Sequence, residues 1–398
     1  MKFYEMCLYW SRKCPNPREP KEHFLAKEAR VKRLVQFVFL VLSLWMPVKV
    51  AADTILNPGD MLVTISSSAR PDAVIHRDSS TGDLSIVSSG GFFSNPFGIA
   101  LTANGAILVA DRGRRAVILV DPVTGLQSIF SSGGFFSAPN GIAVEANGDI
   151  LVADDGLGVI RLDRVTGDQT LVSSGGFLVR PTGIAVEANG DILVADAPNF
   201  GSGGVFRVNP VTGDQTLVSS GGFLLDPSGI AVAANGDILV ASTNIPFCPL
   251  GCEDPPGNVT RLDPVTGAQT LVSTDGFFGN PFGIALEDDG DILVADPGAH
   301  LGAFLDSGGV IRVNPVTGSQ RALFRDGLFQ NVRSIAVVRG NVPVIGPVDD
   351  DPLVIGPVDD LPVIPDVTPI PEPATLLLVS SGLAGLGLAK RKRHPRGA

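Results

Sequence analysis

The sequence predicts an all-β fold, a six-bladed β-propeller, from two short patterns that recur along the chain. The first is GIAVEANGDILVAD, which fills residues 141–154 and returns unchanged at 183–196, with looser copies that begin at Gly98, Gly229 and Gly283. Its apolar, β-branched halves are typical of strands, and the Asn-Gly between them favours a tight hairpin. Spacings of 42 to 54 residues between copies favour propeller blades over helical repeats.

The second pattern is a turn of the type Asp/Asn-Pro-Val-Thr-Gly, which lies between a third and a fourth strand of each unit. Asp or Asn accepts hydrogen bonds within such a turn, Pro presets the next φ, and Gly takes the left-handed position. Close copies begin at Asp121, Asp163, Asn209, Asp263 and Asn314, and a relaxed copy begins at Asp78. Six of these units, together with six copies of the first strand, predict six blades.

The ends of the propeller domain, which we place at residues 53–340, carry incomplete units. Residues 59–91 have no first strand before them, whereas residues 334–338 are a first strand with nothing after it. Together they complete one blade, so that strands from the two ends of the domain close the ring. Closure of this kind removes the two open sheet edges at which other chains could pair.

Residues 1–52 have the features of a signal peptide rather than of a folded unit. A basic stretch precedes the apolar run 34–46, and small residues end at Ala52, so we expect signal peptidase to cleave between Ala52 and Asp53. The run is short for an ordinary membrane span, and an uncleaved anchor is the alternative. The polar region before it is long, and we expect the true start of the protein nearer Val31.

The C-terminal residues 371–396 combine three parts in a fixed order. Pro371-Glu372-Pro373 precedes the apolar stretch 374–389, and a run of Lys and Arg follows at once. The stretch is ~24 Å long as a helix, enough to cross a membrane when the charged residues at its ends snorkel. The basic end should stay in the cytoplasm, which leaves the propeller outside.

This order of parts resembles the PEP-CTERM sorting signal of Gram-negative bacteria. The resemblance implies that the inner membrane holds the precursor and that an exosortase recognises the tail and cleaves near the motif. It also implies delivery of the protein to the cell surface or to an exopolysaccharide matrix.

The exported part of the chain is acidic. Residues 53–373 contain 15 Arg, no Lys, 32 Asp and 5 Glu, a formal net charge of −22, which excludes nucleic acid as a partner. They contain no Trp and no Tyr, the flat rings on which sugar binding often depends. Residues 341–370 repeat a decapeptide rich in Pro and Asp, typical of a semi-stiff linker with no fold of its own.

The two ends of the predicted propeller differ in sequence. The turns between strands one and two, and between strands three and four, share one end and hardly vary. The loops after the second strands and between blades share the other end and differ from blade to blade, as expected of a binding surface or of neutral drift. Cys248 and Cys252 lie in the longest loop, where we expect a disulfide, since a metal site would need further soft ligands.

The P-x-G-I-A-V…NGDILVAD pattern across residues 59–340 resembles the NHL-repeat and gluconolactonase-like six-bladed propellers. For the lactonases the resemblance implies a divalent metal in the central channel, held by a Glu, an Asn and an Asp. Asn140 matches the Asn-bearing motif and Asp154 stands near it, but the early Glu motif has no counterpart here. That difference argues against lactonase activity, and a fold alone implies no activity.

A second possible metal site arises from the repeat itself. Asp111, Asp154, Asp196 and Asp296 each end a second strand, and Ser242 holds the matching position in the fourth full copy. A ring of such hard oxygen ligands could bind calcium. The alternative, which we favour, is that each Asp caps the loop that follows it.

Near-identical blades disfavour an enzyme, because catalysis needs an acid, a base or a nucleophile placed at one chemically distinct position. The propeller has two His, His76 and His300, and no recognisable cofactor motif. We therefore expect a non-catalytic binding or scaffold protein of the cell surface or matrix, with a polysaccharide or a surface protein as partner. The alternative is a metal-dependent, lactonase-like hydrolase or lyase.

Overall fold

The computed structural model describes residues 56–67, 70–198, 203–243, 257–299, 308–323 and 331–340. Several sequence predictions lie outside these residues: the signal peptide with its Ala52–Asp53 cleavage site, the Cys248–Cys252 disulfide, His300, the linker and the sorting tail. Within the described ranges no helix is long and apolar enough to cross a membrane.

The described residues form six antiparallel sheets of four strands, which are the six predicted blades of the propeller. The blades comprise, in order, β1 (Met61–Ile65), β2 (Ala73–Arg77), β3 (Leu84–Ser89) and β24 (Val332–Val337) in blade 1; β4 (Pro96–Leu101), β5 (Ile107–Asp111), β6 (Ala116–Val120) and β7 (Gln127–Ser132) in blade 2; β8 (Pro139–Val144), β9 (Ile150–Asp154), β10 (Gly158–Leu162) and β11 (Gln169–Ser174) in blade 3; β12 (Pro181–Val186), β13 (Ile192–Asp196), β14 (Gly204–Val208) and β15 (Gln215–Ser220) in blade 4; β16 (Pro227–Val232), β17 (Ile238–Ser242), β18 (Asn258–Leu262) and β19 (Gln269–Thr274) in blade 5; and β20 (Gly283–Leu286), β21 (Ile292–Asp296), β22 (Gly309–Val313) and β23 (Gln320–Ala322) in blade 6.

Blade 1 is built from both ends of the domain, as the out-of-phase repeats predict. Its strand order is β24-β1-β2-β3, and β24 pairs antiparallel with β1, with Met61 opposite Val337 and Val63 opposite Ile335. The pairing gives the inner edge of β1 a partner that the N-terminal half of the chain does not supply. The predicted closure of the ring is therefore confirmed.

The second strand of each blade is buried on both faces. The Ile-Leu-Val-Ala-Asp strand of blade 3, β9, is buried at all five positions, and its counterparts in the other blades have the same burial. Burial on both faces explains why the sequence of the second strand is a nearly continuous apolar run rather than an alternating one, because each face packs against a different neighbouring blade. Each fully buried aliphatic side chain contributes about 1.5–3 kcal/mol.

The Asp-Pro-Val-Thr-Gly turns adopt the predicted conformation. In blade 3, Asp163 Oδ1 accepts hydrogen bonds from the amides of Val165 and Thr166 at 2.9 and 2.8 Å, and Gly167 has a φ of 70°. These amide hydrogen bonds lower the pKa of Asp163. The acidic and glycine positions of the turn thus serve backbone geometry.

The first strands of the blades surround the central channel and approach one another closely. A Cβ on Gly98 of β4 would lie 2.4 Å from the carbonyl oxygen of Asn140, and a Cβ on Gly229 of β16 would lie 2.4 Å from that of Phe282. Real Cβ atoms do not approach this closely, so the glycine of the Pro-x-Gly-Ile pattern is required by contact between neighbouring blades rather than by φ.

A hydrogen-bonded group, which we call the glutamine clasp, joins neighbouring blades near their outer strands. Gln169 Nε2 donates to Ser131 Oγ at 3.1 Å and to the Gly133 carbonyl at 3.2 Å, while its Oε1 accepts from the Phe135 amide at 2.7 Å. Ser131 Oγ in turn donates to the Gly167 carbonyl at 2.7 Å. Equivalent clasps are centred on Gln127, Gln215, Gln269 and Gln320.

The interface between blades 6 and 1, where the ring closes, is different. Leu84 stands in β3 at the position that Gln169 holds in β11, so the clasp has no glutamine there. Leu84 packs instead on an apolar cluster that includes Met61 of blade 1 and Leu293 of blade 6. The five clasps therefore join the blades that follow one another along the chain.

We expect Gln169→Leu, which copies the natural Leu84, to lower the free energy of unfolding by about 2–3 kcal/mol. The change removes three hydrogen bonds and leaves the Phe135 amide without its side-chain acceptor. Urea denaturation measures the effect. Thr170→Ala, at the exposed neighbouring position, is the control and should stay within about 0.5 kcal/mol of wild type. Equal losses in both variants would mean that the clasp adds nothing.

Candidate functional site

The antiparallel order of strands places all the sequence-predicted metal residues at one end of the propeller. A second strand ends where the first strand of the same blade begins, so Pro139 lies opposite Asp154 and Pro96 lies opposite Asp111. Asn140, next to Pro139, is therefore at the same end as the strand-end aspartates. We call this the mouth end and the end with the hairpin turns the turn end.

The strand-end aspartates bind backbone amides of the segment that enters the same blade. Asp111 accepts hydrogen bonds from the amides of Ser94, Asn95 and Arg114 at 2.8 to 3.2 Å. Asp154, Asp196 and Asp296 accept in the same way from the residue pairs 137–138, 179–180 and 279–280. Each carboxylate is buried and fixes the entry of its own blade.

The four strand-end aspartates do not form a shared cluster. In the described part of the chain, one group of three acidic side chains brings its oxygen atoms within 4.8 Å of one another, and it consists of Glu287, Asp289 and Asp291. Calcium binding by Asp111, Asp154, Asp196 and Asp296 stays a prediction, but it requires these oxygens to exchange amide donors for the ion.

Blade 5 links the end of its second strand to the segment that enters the blade through different residues. Ser242 has the strand-end position, and its hydroxyl is buried without a hydrogen-bond partner. In this blade the acidic residue lies in the incoming segment, as Asp226. Its Oδ2 accepts a hydrogen bond from Thr243 Oγ1 at 2.7 Å, and its backbone carbonyl accepts one from the Thr243 amide at 3.1 Å. The exchange keeps a link between the same two segments, which supports a structural role for these acids.

Asp196 differs from the other aspartates of the set. Both amides that it accepts reach Oδ2, and its buried Oδ1 has no hydrogen-bond partner. Burial raises the pKa of Asp196 to about 6, since removal of water disfavours the ionised carboxyl group. Burial also raises the pKa of Asp154, against its amide hydrogen bonds.

The residue before each inner-strand glycine faces the top of the channel and changes from blade to blade. This position, together with the glycine and isoleucine that follow it, lines a cavity of about 90 Å³. Beyond the isoleucines the channel opens into a second cavity of about 290 Å³, lined mostly by Ala and Val. The six side chains at the variable position are Phe97, Asn140, Thr182, Ser228, Phe282 and Arg333.

Arg333 is the charged member of this ring. Its guanidinium carbon lies 5.0 Å from the ring centroid of Phe97 and 5.3 Å from that of Phe282. Its Nε is buried without a hydrogen-bond partner. Burial lowers the pKa of Arg333, and the positive charge of Arg112 lowers it further, but an arginine remains charged at neutral pH.

Arg112 and Asn140 form a polar contact beside Arg333. Arg112 Nη1 donates to Asn140 Oδ1 at 3.3 Å, and Nη2 donates to Asp155 Oδ2 at 2.8 Å. Asn140 Nδ2 donates to the Pro181 carbonyl at 3.2 Å. Arg180 Nε lies 3.8 Å from the same oxygen of Asp155. We call Arg333, Arg112, Arg180 and Asn140, with the rings of Phe97 and Phe282, the channel mouth.

The channel mouth fits a divalent cation poorly. A metal on Asn140 Oδ1 would displace the Arg112 guanidinium and meet the charge of Arg333 in the same cavity. Thr182 and Ser228 donate their hydroxyl hydrogens to neighbouring carbonyl groups, at 2.7 Å to Pro227 and Pro281 respectively. The role of Asn140 as a metal ligand stays a prediction that these contacts do not favour.

Sequence reasoning missed the channel mouth because it concentrated on acids. The signal was present in the repeated Pro-x-Gly-Ile pattern, whose second residue reads Phe, Asn, Thr, Ser and Phe in blades 2 to 6. In blade 1 the pattern changes to Val-Arg-Ser-Ile, which begins at Val332. One position that varies inside an otherwise repeated strand points to the channel.

Asp60, His76 and Ser85 form a hydrogen-bonded row in blade 1 that the sequence analysis also missed. His76 Nε2 lies 2.8 Å from Asp60 Oδ2, and Nδ1 lies 3.3 Å from Ser85 Oγ. These are the residue types of a nucleophilic triad. However, the row lies towards the turn end, and His76 has the repeat position at which Arg161 and Arg207 pair with glutamates. The row is the blade 1 form of that structural ion pair.

Comparison with known proteins agrees with this fold and with the tail. Residues 369–393 match the PEP-CTERM protein-sorting motif. No curated protein matches the sequence significantly. The chain thus carries an exported protein's sorting motif behind an all-β propeller of six blades.

Solved structures with a similar fold share little sequence with this chain. One, from the crystal structure of a nidogen/laminin complex, is 13% identical, with a TM-score of 0.56 over 70% of this chain and 97% of its own. A protein of unknown function from Bacteroides caccae is 16% identical, with a TM-score of 0.50 over 71% and 100%. A gluconolactonase from Xanthomonas campestris is 17% identical, with a TM-score of 0.48 over 68% and 87%. At these identities the likeness to the first two structures shows the fold alone.

We expect Asp111→Ala to lower the free energy of unfolding by about 3 kcal/mol, because a fully buried carboxylate is removed and three backbone amides lose their acceptor. Ser242→Ala is the matched control: it changes the same repeat position in blade 5, where the hydroxyl has no partner, and should cost less than about 1 kcal/mol. Chemical denaturation measures both variants.

The wild-type and Asp111→Ala proteins also test whether the strand-end aspartates bind calcium. If the aspartates serve backbone amides, EDTA leaves the melting temperature of the wild-type protein unchanged. A fall in melting temperature that added calcium reverses, and that Asp111→Ala abolishes, would support the calcium prediction instead.

Proposed function

We propose that this protein is an exported, exosortase-processed propeller that acts as a non-catalytic binding or scaffold protein at the cell surface or in the exopolysaccharide matrix of a Gram-negative bacterium. The sorting motif at residues 369–393 carries the proposal, since it implies passage through the inner membrane and recognition by an exosortase. Signal peptidase would act first, between Ala52 and Asp53. The acidic propeller, rigid and closed, then becomes the part that meets partners outside the cell.

The tail supports a membrane-anchored precursor. The apolar stretch 374–389 is slightly shorter than the hydrocarbon core of a bilayer, and the Lys and Arg that follow it can snorkel to the cytoplasmic surface. Release then requires a cut between the linker and this stretch, for which Pro371-Glu372-Pro373 is the recognition motif.

The contacts at the channel mouth support binding rather than metal-dependent catalysis. A lactonase-like hydrolase or lyase needs a metal or another electrophile to stabilise developing negative charge. Asn140, the matching metal residue, is already engaged by Arg112 and by the Pro181 carbonyl. Asp111 and Asp154 accept backbone amides with both carboxylate oxygens, whereas Asp196 does so with Oδ2 alone.

We expect replacement of Pro371-Glu372-Pro373 by three alanines to trap a larger, membrane-bound form of the protein in a host that has the sorting protease. The change removes the recognition motif but leaves the membrane stretch and the propeller intact. Intact-mass measurement on the membrane and extracellular fractions checks the result. An equal change at residues 361–363 of the linker is the control and should leave processing unaffected. A wild-type protein outside the cell that still ends at Ala398 would contradict the proposal.

We also expect the purified protein to hydrolyse no lactone above the background rate when calcium, zinc or manganese is added. The reason is that the channel mouth presents guanidinium groups where a lactonase would hold its metal. A panel of aldonolactones, followed by pH indicator, measures turnover. Hydrolysis that disappears in Asn140→Ala and Asp154→Ala would establish the enzymatic alternative.

A further inference from the structure

We propose that the channel mouth binds a carboxylate group of an acidic saccharide, with Arg333 as its principal ligand. The inference rests on the proposed function for the class of ligand, a polymer of the extracellular matrix. The site itself rests on the charges and contacts around Arg333.

Arg333 is a half-buried charge without an ion-pair partner among the described residues. No described carboxylate lies within ion-pair distance of it, and its Nε is sealed from water without a hydrogen bond. Arg161, Arg207 and Arg312, at the turn end, all pair with glutamates at 2.5 to 2.6 Å. An unpaired charge in a partly dry site is costly to hold, and an anion offsets that cost.

The surroundings of Arg333 are organised to hold a cation in place without neutralising it. The rings of Phe97 and Phe282 pack against each other edge to face, and both contact the Arg333 guanidinium; Phe97 also lies 5.6 Å from the guanidinium carbon of Arg112. Cation–π contacts position the Arg333 guanidinium without accepting hydrogen bonds from it. The charged neighbours that act on Arg333 are Arg112 and Asp72.

Arg333 lines this cavity, and the positive charge of Arg112 acts on it. Asp155 pairs with Arg112 at 2.8 Å, so Arg112 has a carboxylate partner, which Arg333 lacks among the described residues. A planar carboxylate can accept two parallel N–H bonds from an arginine fork, which suits Arg333 better than a spherical ion would. Among the described residues, Arg333 is thus a single positive charge without an ion-pair partner, in a domain whose net charge is strongly negative.

The cavity of about 90 Å³ has room for a carboxylate with ordered water around it. A ligand that places one carboxylate in the cavity can extend over described loops of the mouth end, such as residues 112–115 and 155–157. A sugar acid within a polymer has this form, with a carboxylate on each ring and neighbouring residues on either side.

Calorimetry on the full-length protein in mild detergent, at about 0.15 M salt to screen the acidic surface, tests the proposal. The probes are glucuronate, a polygalacturonate oligomer, its methyl ester and inorganic phosphate. We expect the oligomer to bind more tightly than the monomer, and the methyl ester to bind at least about tenfold more weakly than the oligomer, because it lacks the charge. The melting temperature should rise with oligomer concentration, in step with the logarithm of that concentration once it exceeds the Kd.

Arg333→Gln and Arg339→Gln form a matched pair, because both arginines belong to the segment of β24 but stand at opposite ends of the channel. We expect Arg333→Gln to weaken oligomer binding at least about tenfold and Arg339→Gln to leave it unchanged. Without ligand, Arg333→Gln should melt at the wild-type temperature or above it, because it removes an unpaired charge. A purely structural role for Arg333 predicts a lower melting temperature.

Three outcomes would overturn the inference: no binding of any carboxylate by the wild-type protein, an equal loss of binding in both arginine variants, or phosphate binding as tight as that of the oligomer. The last would indicate a general anion site rather than a saccharide site. A different result would contradict the proposed function without affecting the binding site. A protein that binds the oligomer but is not exported would contradict the export proposal and leave the site intact.

Discussion

The close approach of the six inner strands around the channel is the constraint on which the rest of the structure depends. At Gly98 and Gly229 there is no room for a Cβ, because the backbone of the next blade already occupies the space. This contact sets the width of the channel, and it holds each inner strand in one register relative to its neighbour. The residue just before each glycine is then held at the channel mouth, whatever its chemistry.

Farther from the channel axis, two further sets of contacts hold the blades together. Apolar second strands fill the space between neighbours, and the glutamine clasps join the outer strands of successive blades. The closing interface lacks a glutamine and relies on apolar packing and on the pairing of β24 with β1. The order along the chain thus matters: local neighbours are joined by hydrogen bonds, and the two ends are joined by completing one sheet.

Repetition and function are divided between different positions of the same strands. Positions that build the ring, such as Gly141, Asp154 and Gln169, are nearly the same in blades 2 to 6 because these blades meet the same geometric demand. The position of Asn140 and Arg333 has no such demand, since it faces the channel, and there the blades differ. Arg333 and the two phenylalanine rings beside it place one positive charge at the channel mouth of an otherwise acidic domain.

The sequence by itself determined the fold, because the repeats encode local geometry that each blade satisfies alone. Short-range rules explain the alternation of strand and turn and the Asx turn at Asp163. Together with the incomplete units at the two ends, they imply six blades, one of which is shared by the two ends of the domain. It also identified the sorting tail, whose signal is a linear order of residues.

Only the tertiary structure decided what the aspartates and Arg333 do. Asp111 could as easily have faced the channel as the incoming segment, and Arg333 lies more than 200 residues from Phe97 and Arg112 in the sequence. Those neighbours meet because the ring closes: the repeats predict the closure, but not which side chains it brings together at the channel.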